Sequence, residues 1–368
     1  MSIEENLAEF ISRIKYEDIP ENVKHEVKRR FIDTLGVAYS SMDNEAANRI
    51  KKMAPLYPGN ARMIGMDKAS PDFSAFFNSL IIRYMDFNDT YLSLEPLHPS
   101  DMFGPLITLG SMFHKTGKDI IAAVAVGYEI GMRLCDSASL RKKGYDHVNY
   151  TQIAMASALS NMMNFNVAQT INAISIALVP HIALRQTRVG ELSMWKAGAA
   201  ANSARNAVFS AISTLYGFTS AKEPISGKLG FKNIVVPDMD LSKLEGKTID
   251  GIMRTYIKKY PVEYHAQAAV EASLKLSNEI DVNNIESINV LALINGVFPN
   301  SVMFASNGES TLFETYLNSS SVDKASGNII SAPSSMNNFA LSTVSSIPLT
   351  ALASVLAIIS EFFSCRIC

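Results

Sequence analysis

The sequence predicts a mainly α-helical protein, with a large all-helical domain over residues 1–230 and a smaller α/β domain over residues 231–368. Three observations carry this. Apolar residues recur at spacings of three and four through the first two thirds of the chain, which is the period of one helix face. No strand–helix alternation occurs before about residue 230, and no glycine-rich phosphate loop follows a strand there. After Gly227-Lys-Leu-Gly-Phe231, short β-branched runs enter, at Asn233-Ile-Val-Val236 and Ile285-Glu-Ser-Ile-Asn-Val-Leu-Ala-Leu-Ile294.

The elements follow in order. Residues 3–14 read as an amphipathic helix with Ile3, Leu7, Phe10, Ile11 and Ile14 on one side. Pro20 opens a second, with Val23, Val27, Phe31 and Leu35 four apart, and the small Gly36-Val-Ala38 after it suits close helix packing. Pro71 begins another, whose apolar face is Phe73, Phe76, Phe77, Leu80 and Ile81 and which runs on toward Asp86. Residues 102–116, 119–135, 151–164 and 194–215 are helix-like; the last two are rich in Ala and Ser, as in helices packed inside a bundle, and the methionines serve as core filler. In the second part a helix is expected at Ala266–Ile280 and a strand at 285–294. Beyond residue 300 the chain is Ser/Asn-rich, and after Lys324 only Glu361 and Arg366 are charged. Its apolar stretch, Ile347–Phe363, holds Pro, Thr, Ser and Glu and reads as a buried or interface helix rather than a membrane span.

Composition narrows the function. With 368 residues and 48% hydrophobic content, the chain can build a large core. A net charge of −2 gives no basic bias toward nucleic acid. Cys135, Cys365 and Cys368 are odd in number and scattered, which argues for a reducing, cytoplasmic setting and against a disulfide scaffold or an iron–sulfur cluster. The amino-terminal stretch carries early acids and no signal-peptide core. The absence of His-Glu-x-x-His, Gly-x-Ser-x-Gly and clustered Cys/His spacing removes the usual signs of a metal site or a serine hydrolase.

Two of the six histidines stand in charged, turn-rich segments: His98 in Arg83-Tyr-Met-Asp-Phe-Asn-Asp-Thr90 through His98-Pro-Ser-Asp101, and His147 in Arg141-Lys-Lys-Gly-Tyr-Asp-His-Val-Asn-Tyr150. Imidazoles that exchange protons near neutrality suggest acid–base chemistry on a small anion. Pro96 and Pro99 restrict the backbone around His98. If the helix begun at Pro71 continues, Asp86 and Thr90 share a face; an ordinary capping and ion-pair cluster explains them equally well. Asp146 is adjacent to His147 in sequence and so need not orient its ring. His25, His114 and His181 have no comparable setting and read as ordinary residues. Lys196 leads into Ala-Gly-Ala-Ala-Ala, and a lysine rooted there needs an anion, either a substrate carboxylate or Glu191. Arg185 and Arg188 stand close by in sequence. Lys258 and Lys259 precede Pro261, and His265 falls near the start of the next helix, where anions are favoured; a solvated lysine pair is the plain alternative.

Five segments resemble the MmgE/PrpD family: Ile32-Asp-Thr-Leu-Gly-Val37, the Arg83–Thr90 and His98–Asp101 pair, Gly144-Tyr-Asp-His-Val-Asn-Tyr150, Ala183-Leu-Arg-Gln-Thr-Arg-Val-Gly-Glu-Leu-Ser-Met-Trp-Lys-Ala197, and Tyr260-Pro-Val-Glu-Tyr-His-Ala-Gln-Ala-Ala-Val-Glu-Ala272. Members include 2-methylcitrate dehydratases, cis-aconitate decarboxylases and iminodisuccinate epimerases. The resemblance implies a helical domain with a smaller α/β lid, a homodimer, a small polycarboxylate substrate, and no cofactor or metal. It implies catalytic roles for Asp86, His98, His147, Lys196 and Lys258. It adds substrate-binding roles for Thr90, Arg185, Arg188, Lys259 and His265. The His265-Ala-Gln and Arg185–Lys196 strings look closest to the methylcitrate dehydratase branches, with cis-aconitate decarboxylation or carboxylate binding without turnover as alternatives. The resemblance fades after about Ile294, and the Ala-Asp-His-Ser-like segment it implies further on is not legible in this tail.

Overall fold

The computed structural model describes residues 2–277, 279, 287–290 and 302–305. The chain divides into two compact units, the first running to Val262 and the second beginning at Glu263. The first unit is helical: α1 (Ile3–Arg13), α2 (Glu21–Ser40), α3 (Glu45–Lys51), α4 (Pro71–Arg83), α5 (Phe103–Met112), α6 (Gly117–Ser137), α7 (Val148–Met162), α8 (Val167–Leu178), α9 (Trp195–Leu215) and the single turn α10 (Phe231–Ile234). Its only described strands, β1 (Ala61–Arg62) and β2 (Lys68–Ala69), form a two-residue antiparallel ribbon.

Local chemistry sets several helix starts. At α1 the Ser2 hydroxyl accepts from the Glu5 amide at 3.2 Å and the Glu5 carboxylate accepts from the Ser2 amide at 2.8 Å, a reciprocal cap. Thr116 with Asp119 and Asn166 with Gln169 repeat this device at α6 and α8. Pro71 stands at the first turn of α4, where its missing N–H costs nothing.

Packing then fixes the centre. Every residue of α7 is buried, and α6, α8 and α9 pack around it. The Ala-rich faces of α7 and α9 let these helices approach closely, as the composition suggests. Gly104, on α5, lies against α4: a Cβ there would stand 2.8 Å from the Ser79 backbone nitrogen. This close approach holds the 3₁₀ turn Pro99–Met102 beside α4.

Three local expectations change. The Pro71 helix ends at Arg83, and the chain turns through a left-handed Asp86 (φ 50°), so Asp86 and Thr90 share no helical face. The turn is closed by the Asp86 amide donating to the Arg83 carbonyl. Gly36 lies inside α2, and a Cβ at that position would meet nothing within 4 Å, so it makes no close packing contact; the buried members of that run are Val37 and Ala38. Asn233–Val236 is not a strand. Phe231–Ile234 coils into one helical turn, and burial of Phe231, Val235 and Val236 accounts for the apolar run.

Residues 231–262 pack with the helices of the first unit. The Asp240 amide donates to the Ser137 carbonyl, and Arg133 of α6 donates to the carbonyls of Leu244 and Thr248. In the second unit, a 3₁₀ turn (Tyr264–Ala266) leads into α11 (Gln267–Leu276), the helix expected at 266–280. β3 (Ser287–Val290), within the expected strand, pairs antiparallel with β4 (Val302–Ala305), Ser287 opposite Ala305 and Val290 opposite Val302. The architecture is therefore mainly α with a small β element after it. The stretch Ile347–Phe363, Cys365 and Cys368 lie outside the described residues. Among the described residues no helix is long and apolar enough to cross a membrane.

Candidate active site

The stretch from Tyr84 to His98 links α4 to the Pro99 turn, and Asp86 is its centre of charge. Arg83 Nη1 donates to Asp86 Oδ1 at 2.8 Å. Lys258 Nζ donates to the same oxygen and to the Asp86 carbonyl, both at 2.7 Å. Lys196 Nζ lies 3.5 Å from Oδ2, and His98 Nε2 lies 4.0 Å from Oδ1. The lysine side chains differ sharply in exposure, 0% for Lys258 and 29% for Lys196. Burial alone would raise the Asp86 carboxyl, but Arg83, Lys258 and Lys196 outweigh it and hold the group well below its usual range. Lys196 therefore meets Asp86 rather than Glu191, and it is only partly buried. Thr90 and Tyr256 exchange both backbone hydrogen bonds, which brings the Lys258 segment against the Asp86 segment.

The rings of His98 and His147 meet edge to face, with centroids 5.6 Å apart. His98 Nδ1 approaches the Asp89 carbonyl at 2.9 Å; a carbonyl only accepts, so Nδ1 carries the proton and Nε2 presents a lone pair. His147, the residue before α7, sets Nδ1 3.2 Å from Asp146 Oδ1. Asp146, which adjacency in sequence left open as a partner, does face the ring. Nδ1–H then points at the carboxylate, and Nε2 is again a lone pair. Asp146 is itself held by Arg188 Nε at 2.8 Å, the Thr187 hydroxyl at 2.9 Å and the Val148 amide at 3.2 Å. Burial would raise its carboxyl, yet Arg188 and His147 bring it down to about 2.

Both imidazoles are neutral in this arrangement. Burial, then Arg188, lowers His147 to about 3. Burial, then Arg83 and Lys258, holds His98 well below its usual value. Arg185, also buried, lies within electrostatic reach of the His147 ring. Cations thus exceed carboxylates around two neutral bases, a charge balance that suits a polyanion.

A second set of residues supports the first, and sequence reasoning gave none of them a role in the site. Asp89 has no exposed surface; its carboxylate accepts from the Ser100 amide at 2.9 Å and the Tyr128 hydroxyl at 2.8 Å, with Arg30 Nε 3.8 Å away. Arg30 also donates to the Thr255 carbonyl at 2.8 Å, three residues before Lys258. Asp101 is buried, and its Oδ1 accepts from Asn88 at 2.8 Å. The local sequence offered one signal for these, the two carboxylates flanking His98 in the motifs that contain it.

The other expected residues are less central. The Thr90 hydroxyl donates to the Leu97 carbonyl at 3.2 Å. Lys259 sits over the Tyr260 ring, 5.3 Å from its centroid. His265 belongs to the second unit, where its Nδ1 lies 2.8 Å from Glu263 Oε1. Cys135 is buried in α6. Among the described residues no three His, Cys, Asp or Glu side chains are grouped as metal ligands.

Known proteins are similar to this chain. A baker's yeast protein named probable 2-methylcitrate dehydratase is 29% identical over 269 residues, 67% of this chain and 52% of its own length. The 2-methylcitrate dehydratase of Escherichia coli K12 is 26% identical over 274 residues, 68% of this chain and 55% of its own. The mouse cis-aconitate decarboxylase is 25% identical over 190 residues, 48% and 38% respectively. The chain thus spans about half the length of these yeast and bacterial relatives. Residues 5–243, which carry α1 to α9 and most of the charged cluster, match the MmgE/PrpD N-terminal domain. The chain belongs to the MmgE/PrpD family.

Proposed function

We propose that this chain carries the catalytic site of a cofactor-independent hydro-lyase that dehydrates 2-methylcitrate, or a close tricarboxylate such as citrate, to the corresponding cis-aconitate. One observation carries the reading: two neutral imidazoles face each other inside a cluster with an excess of buried cations. The names of the yeast and bacterial relatives point to the same substrate class.

In this scheme the substrate carboxylates bind at Lys196, Lys258, Arg185 and Arg188, whose charge-assisted bonds fix orientation and stabilise the carbanion-like charge that develops. His98 Nε2, set by the Asp89 carbonyl, takes the proton next to a carboxylate. His147 delivers a proton to the departing hydroxyl, which leaves as water. The bound anion offsets the Arg188 and Arg83 field, so the His147 ring accepts a proton more readily once substrate is present. Asp86 holds Arg83, Lys196 and Lys258 in place as counter-ion. The Thr90 hydroxyl, its proton given to Leu97, takes a hydrogen bond from substrate as acceptor. Lys259 and His265 enter only through the family resemblance.

The test is to incubate metal-free protein with 2-methylcitrate and citrate and follow absorbance of the unsaturated product. Turnover that survives chelator and disappears in His98→Ala/His147→Ala supports the reading. Turnover abolished by chelator, or retained in the double variant, overturns it. The mouse relative supports a second reading, decarboxylation of cis-aconitate at the same site, for which carbon dioxide release is the discriminating measurement.

A further inference from the structure

Elimination of water needs one proton accepted and another delivered, and the two rings by themselves present two acceptors. His98 gives its Nδ1 proton to a carbonyl and His147 points Nδ1 at a carboxylate, so each offers a lone pair at Nε2. We propose that the buried carboxyl of Asp101 is the reserve from which His147 receives its proton, an inference that rests on the dehydratase reading above.

Asp101 has no exposed surface. Oδ1 accepts from Asn88, and Oδ2 makes no hydrogen bond among the described residues. A buried carboxylate oxygen left bare is costly, and a hydroxyl in its place is far less so. Burial, reinforced by Asp89 and opposed by Arg83 and Arg188, raises the group to about 7. His147 Nε2 is buried and likewise has no hydrogen bond among the described residues, as is true of Arg83 Nε and Arg188 Nη2. Arg83 and Arg188 act electrostatically on both Asp101 and His147, and both groups have a buried atom, Oδ2 and Nε2, with no hydrogen bond among the described residues.

The backbone joins them further. The Asp101 amide donates to the His98 carbonyl at 3.2 Å, and the His98 ring is the one that meets His147. The elements packed on the Asp101 turn carry Arg83 at the end of α4, Lys196 in α9, Tyr128 in α6 and Arg30 and Asp33 in α2, and His147 stands just ahead of α7. Asp86 and Asp89 come from the preceding stretch, and Arg185 and Arg188 from the 3₁₀ turn before α9.

The step balances. The Asp101 O–H bond breaks and its proton passes, through a substrate hydroxyl or a bridging water, to His147 Nε2. The imidazolium gives that proton to the leaving hydroxyl. His98 takes the C–H proton, and that electron pair forms the double bond. Return of the His98 proton to Asp101 through solvent resets the site with no net proton change.

Asp101→Asn keeps the shape and leaves an amide that cannot hand over a proton. Infrared spectra of the full chain, taken on the acid side of about 7, are expected to show a buried protonated-carboxyl band in wild type that is missing from the variant. With 2-methylcitrate as substrate, kcat falls at least about ten-fold while KM holds. The wild-type loss of kcat as pH rises through about 7 disappears in the variant. Loss of packing alone would lower the unfolding temperature and leave that limb in place. A wild type without the band, a variant that keeps it, or a variant with the wild-type pH profile overturns the proposal. If Asp101→Asn does not fold, the wild-type band and the wild-type kcat limb must share one midpoint; separate midpoints overturn it. A chain that shows the band but turns over no tricarboxylate refutes the dehydratase reading, and Asp101 then has no elimination to serve.

Discussion

Replacing Asp86 by Asn removes one charge, keeps the side-chain volume, and retains a residue type that accepts left-handed backbone. What it leaves behind sets the magnitude. The Lys258 side chain has no exposed surface and Arg83 has 3%, and both lie within 2.8 Å of the same carboxylate oxygen. Stripping the counter-ion from a buried pair costs about 3–5 kcal/mol. Lys196, at 29% exposure, can turn toward water and adds little. For a domain of this size, each kcal/mol moves the unfolding temperature by about 2–4 °C, so the variant is expected to melt roughly 6–20 °C lower at neutral pH. Added citrate should recover part of that loss by taking over as counter-ion. The Asp86 carboxyl is depressed in the folded state, so its contribution is present above the ordinary value of 3.8 and is lost as pH falls through the depressed one. Wild type and variant should therefore converge in acid. Thermal unfolding across pH is the assay. A variant within about 2 °C of wild type at neutral pH, or a gap that widens in acid, would refute the counter-ion role.

Three further outcomes follow from the same geometry. His98→Asn should lower kcat for tricarboxylate dehydration by about 10²–10⁴ with little change in unfolding temperature; steady-state kinetics beside calorimetry reads both. The His147 value is lowered to about 3 from 6.5, so its contribution to stability is intact above 6.5 and lost as pH falls toward 3; His147→Gln should flatten that part of the denaturation profile. Tyr128→Phe deprives the buried Asp89 carboxylate of a donor and should cost about 1–3 kcal/mol in urea unfolding. An unchanged urea midpoint would show that Asp89 does not depend on Tyr128.

Local signals made much of the helical unit legible. The span of α1 follows from the spacing of Ile3, Leu7, Phe10, Ile11 and Ile14, and the start of α4 from Pro71, signals that act within a few residues of themselves. The Asn233–Val236 run misled because β-branched composition reports burial as well as strand geometry, and here burial decided. The segments bearing Asp86, His98, His147, Lys196 and Lys258 stood out by residue type. Their partners did not, because those contacts are long-range. Lys196 reaches Asp86 across 110 positions, and Lys258 across 172. Asp89, Asp101, Tyr128 and Arg30 looked like ordinary chain members, since only three-dimensional packing reveals a carboxylate cut off from water. The Asp146–His147 contact was hidden for the opposite reason. Adjacent side chains usually diverge, and here the bend entering α7 turns them toward each other.

The left-handed backbone at Asp86 narrows the chemistry this position can adopt. A longer acid such as glutamate would preserve the charge but meet a conformational penalty of about 1–2 kcal/mol that short Asx side chains partly escape. Its extra methylene would also carry the head group past the three nitrogens that now converge there. The viable alphabet is therefore close to Asp, Asn and Gly, and only the first of these is an anion. Gradual drift between acidic residues is closed at this point of the chain, so any retuning of the cluster must come from the cations around it.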